Sequence, residues 1–419
     1  MRQVAPLATV LRLQRVRMRE AEELTPPPQP YSESVADTGP FEGGGWFRLM
    51  DALGIAGDAP TQVRRRLLAV VGVAWLPMLV LAGVEGRLIG GQVVMPFLLD
   101  VGAQVRLLVA LPLLLLAKAE VRRRMPTLLR QFTQRGLVPE AQRSRFDAAL
   151  TQAQRHRDAR LPELLLLALV GGIGIVAWRH HLMSDPQAWY AATGKDGSAL
   201  SWAGLWYACV ALPIVQFLML RWYYRLGMWA LLLWRISRLP LDLIAGHPDR
   251  AGGLGFLAGV GQVFAMLALA HGALAAGMVV QRILFAQATL PQYADAIAVI
   301  VILVQCVFFG PLLCFARQLR EARREGLARY AALSDQLVRG FDAKWSGTAQ
   351  SAEALVGSPD VSSTADMATT YELVERMRAV PITLQASVRL AVSTLLPMAP
   401  LLLTMMPLSQ ALKLLIGVR

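Results

Sequence analysis

A chain of 419 residues that is 55% hydrophobic and only 17% charged is too apolar for a soluble globular protein of its size, and reads as inserted in a membrane. Its formal charge of +13 is not gathered on one domain but recurs in blocks between apolar segments. That pattern argues against nucleic acid as a partner and follows the orientation rule of membrane proteins. The cysteines, Cys209, Cys306 and Cys314, all lie inside apolar segments and imply neither a disulfide framework nor a zinc site.

The predicted fold class is all-α, a polytopic transmembrane helix bundle of six or seven spans with helical cytoplasmic regions. Residues 1–60 begin Arg-rich and pass through TPPPQPYSESVADTGPFEGGG, too poor in apolar residues to form a core, so a disordered or interfacial segment is expected. It has no small-residue cleavage site of a signal peptide. Trp46–Ile55 spaces its apolar residues like a short surface helix, or like a loop docked on the cytoplasmic side. Residues 61–118 hold the first two spans, Leu67–Val84 after Arg64, Arg65 and Arg66, and Phe97–Ala117. Residues 119–160 are polar with helical spacing and read as a cytoplasmic helical region. Residues 161–220 hold spans three and four, Leu164–Trp178 and Trp202–Leu220. In 221–253 an aromatic and basic interfacial helix leads into the loop HPDRAGG. Residues 254–315 hold spans five and six, Leu254–Val280 and Ile297–Phe315. A second cytoplasmic helical region fills 316–389, including a helix over Ala365–Val380 announced by Ser362, Ser363 and Thr364. Residues 390–419 form a proline-broken transmembrane or re-entrant segment with a tail.

Placing the N-terminus and the polar regions in the cytoplasm puts 35 of the 42 Lys and Arg residues on that side. Seven crossings would leave the C-terminus outside, six would return it inside.

His247, Asp249, Arg250, Gly252 and Gly253 form the one cluster that carries chemistry. One reading is an anion site, in which main-chain N–H groups of the glycine turn, Arg250 and the helix dipole hold a phosphate or an anionic lipid head group. The other is structural: Asp249 caps the following helix, Pro248 shapes the turn and the glycines allow close packing. The tripeptide His247-Pro248-Asp249 also marks chaperone J-domains, but the basic helix that should precede it is absent. Inside the membrane the polar candidates are Arg106, with Glu85 or Asp100 as the partner nearest in depth, and His271, a neutral imidazole bonded between helices or a proton relay. Small residues at Gly255 and Gly259, and at Ala268, Gly272 and Ala276, predict close helix contact, within the chain or between two copies. No catalytic, cofactor-binding or metal-binding residues are predicted, since the five histidines are scattered and no nucleophile stands with a base.

The pieces RLPLDLIAGHPDRAGGLGFL (238–257), FDAKW (341–345), LVGSPDVSSTADMATTYELVERMRAVP (355–381), PLLLTMMP (400–407) and VRLLVALPLLLLAKAE (105–120) resemble a family of uncharacterised bacterial polytopic inner-membrane proteins. The likeness covers most of the chain after about residue 60. Where that family tends to carry Gly-Asn-Ser, this chain has Ala368, Thr369 and Thr370. The resemblance implies a bacterial cytoplasmic (inner) membrane and brings no activity with it. The function expected first is a non-enzymatic scaffold or regulator with a cytoplasmic surface. A small-solute or ion transporter or channel is second, and a membrane enzyme acting on a lipid or phosphoanion third. The partners expected are the bilayer, an anionic lipid or phosphoanion, and a second copy or another membrane protein.

Overall fold

The computed structural model of the protein describes residues 60–90, 93–158, 160–177, 188–194, 197–285, 288–346 and 358–405. The segment Trp46–Ile55, His180, His181, Lys195 and the C-terminal tail lie outside them. The described chain is an all-α bundle, relieved by one antiparallel hairpin, β1 (Ala191–Gly194) with β2 (Gly197–Leu200). Five helical stretches are long and apolar enough to cross a membrane: α1 (Thr61–Val84), α2 (Val101–Gln134), α5 (Trp202–Ile236), α6 (Ala265–Phe285) and the stretch Leu290–Trp345, which contains α7 (Ala294–Phe309) and α8 (Ala316–Trp345). The third and seventh expected segments are shorter, α4 (Arg160–Ala177) and α10 (Leu384–Leu395). The polar helices α3 (Arg143–Asp158) and α9 (Pro359–Glu375) complete the set.

The outside of the bundle is as apolar as its core. Leu68, Val73, Leu76 and Val80 on α1 and Val299, Ile302 and Leu303 on α7 are each more than half exposed. Water would penalise such a surface and hydrocarbon does not, so the protein is a membrane protein.

Several boundaries differ from those expected. No new helix begins at residue 119 or 221. Runs rich in Arg, Leu, Met and Ala, all good helix formers, carry α2 through Pro126 to Gln134 and α5 to Ile236. The fifth span does not begin at Leu254. Leu254–Gly259 is a tight 3-10 turn and Val260–Val263 one short helical turn, buried at the foot of the bundle, with α6 starting at Ala265. Helix α9 starts six residues before Ala365, where the Ser358 hydroxyl accepts the Asp360 N–H and Pro359 occupies the first helical position.

Two spans carry a widened turn at the same motif. Val109-Ala110-Leu111-Pro112 in α2 recurs as Val210-Ala211-Leu212-Pro213 in α5, a repeat not anticipated above. Proline has no N–H for the carbonyl four residues back and its ring crowds that carbonyl. The helix answers with bonds of longer reach, Leu111 N–H to Arg106 O and Leu212 N–H to Tyr207 O. The residues that open the two widened turns are bonded to each other, since the Arg106 guanidinium donates to the Tyr207 hydroxyl. Neither carboxylate expected beside Arg106 takes that role. Asp100 accepts the Ala103 N–H at 2.9 Å and the Trp189 indole N–H at 2.9 Å, and Glu85 accepts the Trp202 N–H at 2.7 Å. A hydroxyl can serve a buried cation without a second charge having to be desolvated.

The small residues of α6 serve contact inside the chain. A Cβ added at Gly272 would fall on the Thr394 carbonyl of α10 and 3.3 Å from Pro397. Gly255, by contrast, faces the Asp249 side chain and no second helix. Gly272→Ala is therefore expected to destabilise by about 1–3 kcal/mol, read as a lower thermal midpoint of the detergent-purified protein. Gly227→Ala on α5, where an added Cβ meets nothing within 4 Å, should not destabilise and should raise stability by up to about 1 kcal/mol.

Candidate functional site at the glycine loop

The chain leaves α5 after Ile236 and turns back on itself twice, with His247 N–H bonded to Ile244 O and Arg250 N–H to His247 O, both at 3.0 Å. Arg250 (φ 53°), Gly252 (φ 63°) and Gly253 (φ 95°) then adopt left-handed backbone, which points successive N–H groups inward. The group they enclose is the carboxylate of Asp249. Its Oδ1 accepts from Ala251 N–H at 2.8 Å and Gly253 N–H at 3.2 Å, and its Oδ2 from Gly255 N–H at 2.7 Å. Burial pushes this carboxyl up, but the bonds from Ala251, Gly255 and Gly253 and the neighbouring His247 outweigh burial and hold it below the usual carboxylate range.

The donors assigned above to a phosphate are thus taken from within the loop, and Asp249 caps the 3-10 turn that begins at Leu254. The Arg250 side chain is exposed. His247 Nδ1 sits 2.9 Å from Asp249 Oδ1 and 3.2 Å from Asp249 N. Of the five predicted residues, His247 and Asp249 converge, and Gly252 and Gly253 serve the backbone. Room is the second reason for glycine here. A Cβ would lie 3.1 Å from Met377 at Gly252, 2.8 Å from Leu137 at Gly253 and 2.8 Å from Asp249 at Gly255.

Both polar regions close on this loop. From the first, Leu137 O accepts Asp242 N–H at 2.9 Å and Arg135 lies over the Phe256 ring. From the second comes Arg378, which sequence reasoning missed. Its Nη2 donates to Asp249 O at 2.6 Å, its Nη1 to Ile382 O at 3.0 Å and its backbone N–H to Arg250 O at 2.8 Å. Its position in the piece VERMRAVP, one of those that carry the resemblance, was the available signal.

The intramembrane candidates stand apart from the loop and from each other. His271 Nδ1 donates to Leu267 O and its Nε2 shares a hydrogen bond with the Tyr223 hydroxyl, each at 2.7 Å, so the ring is bonded between α6 and α5. Beside the loop, a groove of about 570 Å³ between α2, α6 and α10 is lined by Glu120, Arg124, Gln262, Arg389 and Ser393 among apolar residues. Among the described residues no three His, Cys, Asp or Glu side chains stand close enough to share a metal ion. No family model, curated protein or solved structure matches the chain.

A carboxyl held low in the folded state stabilises fully above its unfolded value of about 4, and that stabilisation is lost as pH falls through the lower folded value. Asp249→Asn is expected to destabilise by roughly 1–3 kcal/mol at neutral pH and to flatten the acid side of the stability profile. Thermal unfolding of the purified protein from neutral to acid pH tests both.

Proposed function

We propose that this chain is a multi-pass protein of a bacterial cytoplasmic (inner) membrane, with its N-terminus and arginine-rich regions in the cytoplasm. We further propose that it acts without catalysis, as a scaffold or regulator that offers those regions to a partner. The observation that carries this reading is the hairpin of α8 and α9. Helix α8 has 30 residues, about 45 Å of length, and its buried residues are Leu319 and Gly326, both in the first half. Beyond them α9 runs beside it, and Lys344 and Trp345 grip Asp360 at 2.7 and 3.2 Å. Leu333 and Val338 on α8 and Val361 on α9 remain 41%, 43% and 45% exposed, apolar positions on an otherwise charged hairpin. Such positions suit a helical partner, either another membrane protein or a second copy. The arginine bias supports the cytoplasmic placement, and the resemblance to a bacterial inner-membrane family points to the same membrane.

A small-solute or ion transporter is the second reading, favoured by the paired widened turns of α2 and α5 joined through Arg106 and Tyr207.

Photo-crosslinking from position 333 in intact cells is expected to yield a protein adduct. Leu333→Glu together with Val338→Glu should abolish that interaction while changing stability by less than about 0.5 kcal/mol per site. Adducts to lipid alone would sink the scaffold reading. Ion or solute flux in proteoliposomes that Arg106→Ala abolishes would replace it with the transporter.

A further inference from the structure

At the arginine-rich end of the bundle, α1, α2 and α5 enclose a narrow cleft lined by Arg66, Lys118, Arg221 and Arg225, with leucines and Trp222 as its apolar wall. Arg66 comes from the start of α1 and Lys118 from midway along α2. Arg221 and Arg225 stand one turn apart on the same face of α5. Glu163 of α4 stands 3.3 Å from Arg221. Four cations thus line one cleft, where water is scarce and their mutual repulsion is poorly screened.

Three of the four have other protein groups to interact with, among them the Trp222 ring, over which the Arg225 guanidinium stands at 5.5 Å. Arg66 is different. It is 2% exposed, and its Nε, Nη1 and Nη2 have no hydrogen-bond partner among the described residues. A guanidinium cannot shed its charge to escape burial, so five N–H donors closed off from water call for acceptors, and among three further cations an acceptor that carries negative charge is favoured. The planar fork selects for paired oxygens, as on a phosphate. Size narrows the choice further. The enclosed space is about 30 Å³, room for one or two water-sized groups, whereas a whole small-molecule ligand needs roughly 300 Å³ or more. What fits is a small charged group, either free or at the tip of a larger molecule whose remainder stays at the mouth.

We propose that this cleft binds a phosphoryl group, carried by an anionic phospholipid of the surrounding leaflet or supplied as free phosphate. Arg66 makes the forked contact, and Lys118, Arg221 and Arg225 supply the field. Basic pockets between membrane helices hold lipid head groups in this way. The site is separate from the glycine loop and does not depend on the scaffold reading.

The test uses the full chain in nanodiscs of phosphatidylcholine alone or of an equal mixture with phosphatidylglycerol, and in detergent with added inorganic phosphate. Native mass spectrometry reads retained lipid, and thermal unfolding reads stabilisation. For a lipid source, phosphatidylglycerol is retained over phosphatidylcholine and raises the midpoint, and Arg66→Gln weakens its retention by about tenfold or more, the scale of one lost charge-assisted bond. For a free anion, inorganic phosphate alone raises the midpoint of the wild-type protein and not of Arg66→Gln. Should Arg66→Gln fail to fold, Arg225→Gln takes its place in both arms. The proposal is overturned if neither phosphatidylglycerol nor phosphate stabilises the wild-type protein, or if the folded variant responds as strongly as the wild type.

Discussion

Main-chain N–H groups that converge in a tight turn have to be given an acceptor, and in this protein the acceptor is the side chain of Asp249. Three amides of the following six residues close around one carboxylate, and the left-handed turns needed for that geometry account for Gly252 and Gly253. Once the loop is locked, its outer surface is defined for others to use. Leu137 from the first polar region packs against Gly253, Met377 from the second against Gly252, and Arg378 holds the carbonyls of Asp249 and Ile382. The loop is the place where two regions far apart in sequence are held to the foot of the membrane helices.

Within the membrane the same requirement appears as a problem of proline. Pro112 and Pro213 each deprive a carbonyl of its partner, and both helices answer by widening one turn. Arg106 of one widened turn and Tyr207 of the other are joined by a hydrogen bond. Close approach elsewhere comes from small residues, with Gly272 of α6 against the Thr394 carbonyl of α10. Hydrocarbon offers no hydrophobic drive between helices, so shape and hydrogen bonds carry the specificity of such contacts.

Much of this was legible in the residues. Uninterrupted apolar runs announce membrane helices, and clustered arginines divide them from polar regions, because both signals depend on composition alone. The boundaries were not legible where a helix ignores the change from apolar to polar side chains, as α2 does up to Gln134 and α5 up to Ile236. Leu254–Val263 was taken for the start of a span because an apolar decapeptide looks the same as a buried turn, although its three glycines spoke for the turn. The partner of Arg106 was sought among carboxylates at its own depth, a search that cannot see a tyrosine hydroxyl a hundred residues away. Both readings of HPDRAGG rest on the same inward-facing amides, and only coordinates show that Asp249 reaches them first. The orphaned Arg66 left no trace in sequence, where it is one of three adjacent arginines.

Between α7 and α8 the chain passes through the 3-10 segment Gly310–Phe315, with Pro311 at its start. Leu312 and Phe315 anchor that segment in the core, and α8 beyond it is an arm of 30 residues. With about 45 Å of reach, a tilt of roughly 5° at its start carries the far end sideways by about 4 Å. Any change of tilt where the core grips the start of α8 would thereby become, at the hairpin tip, a displacement comparable to the diameter of a side chain.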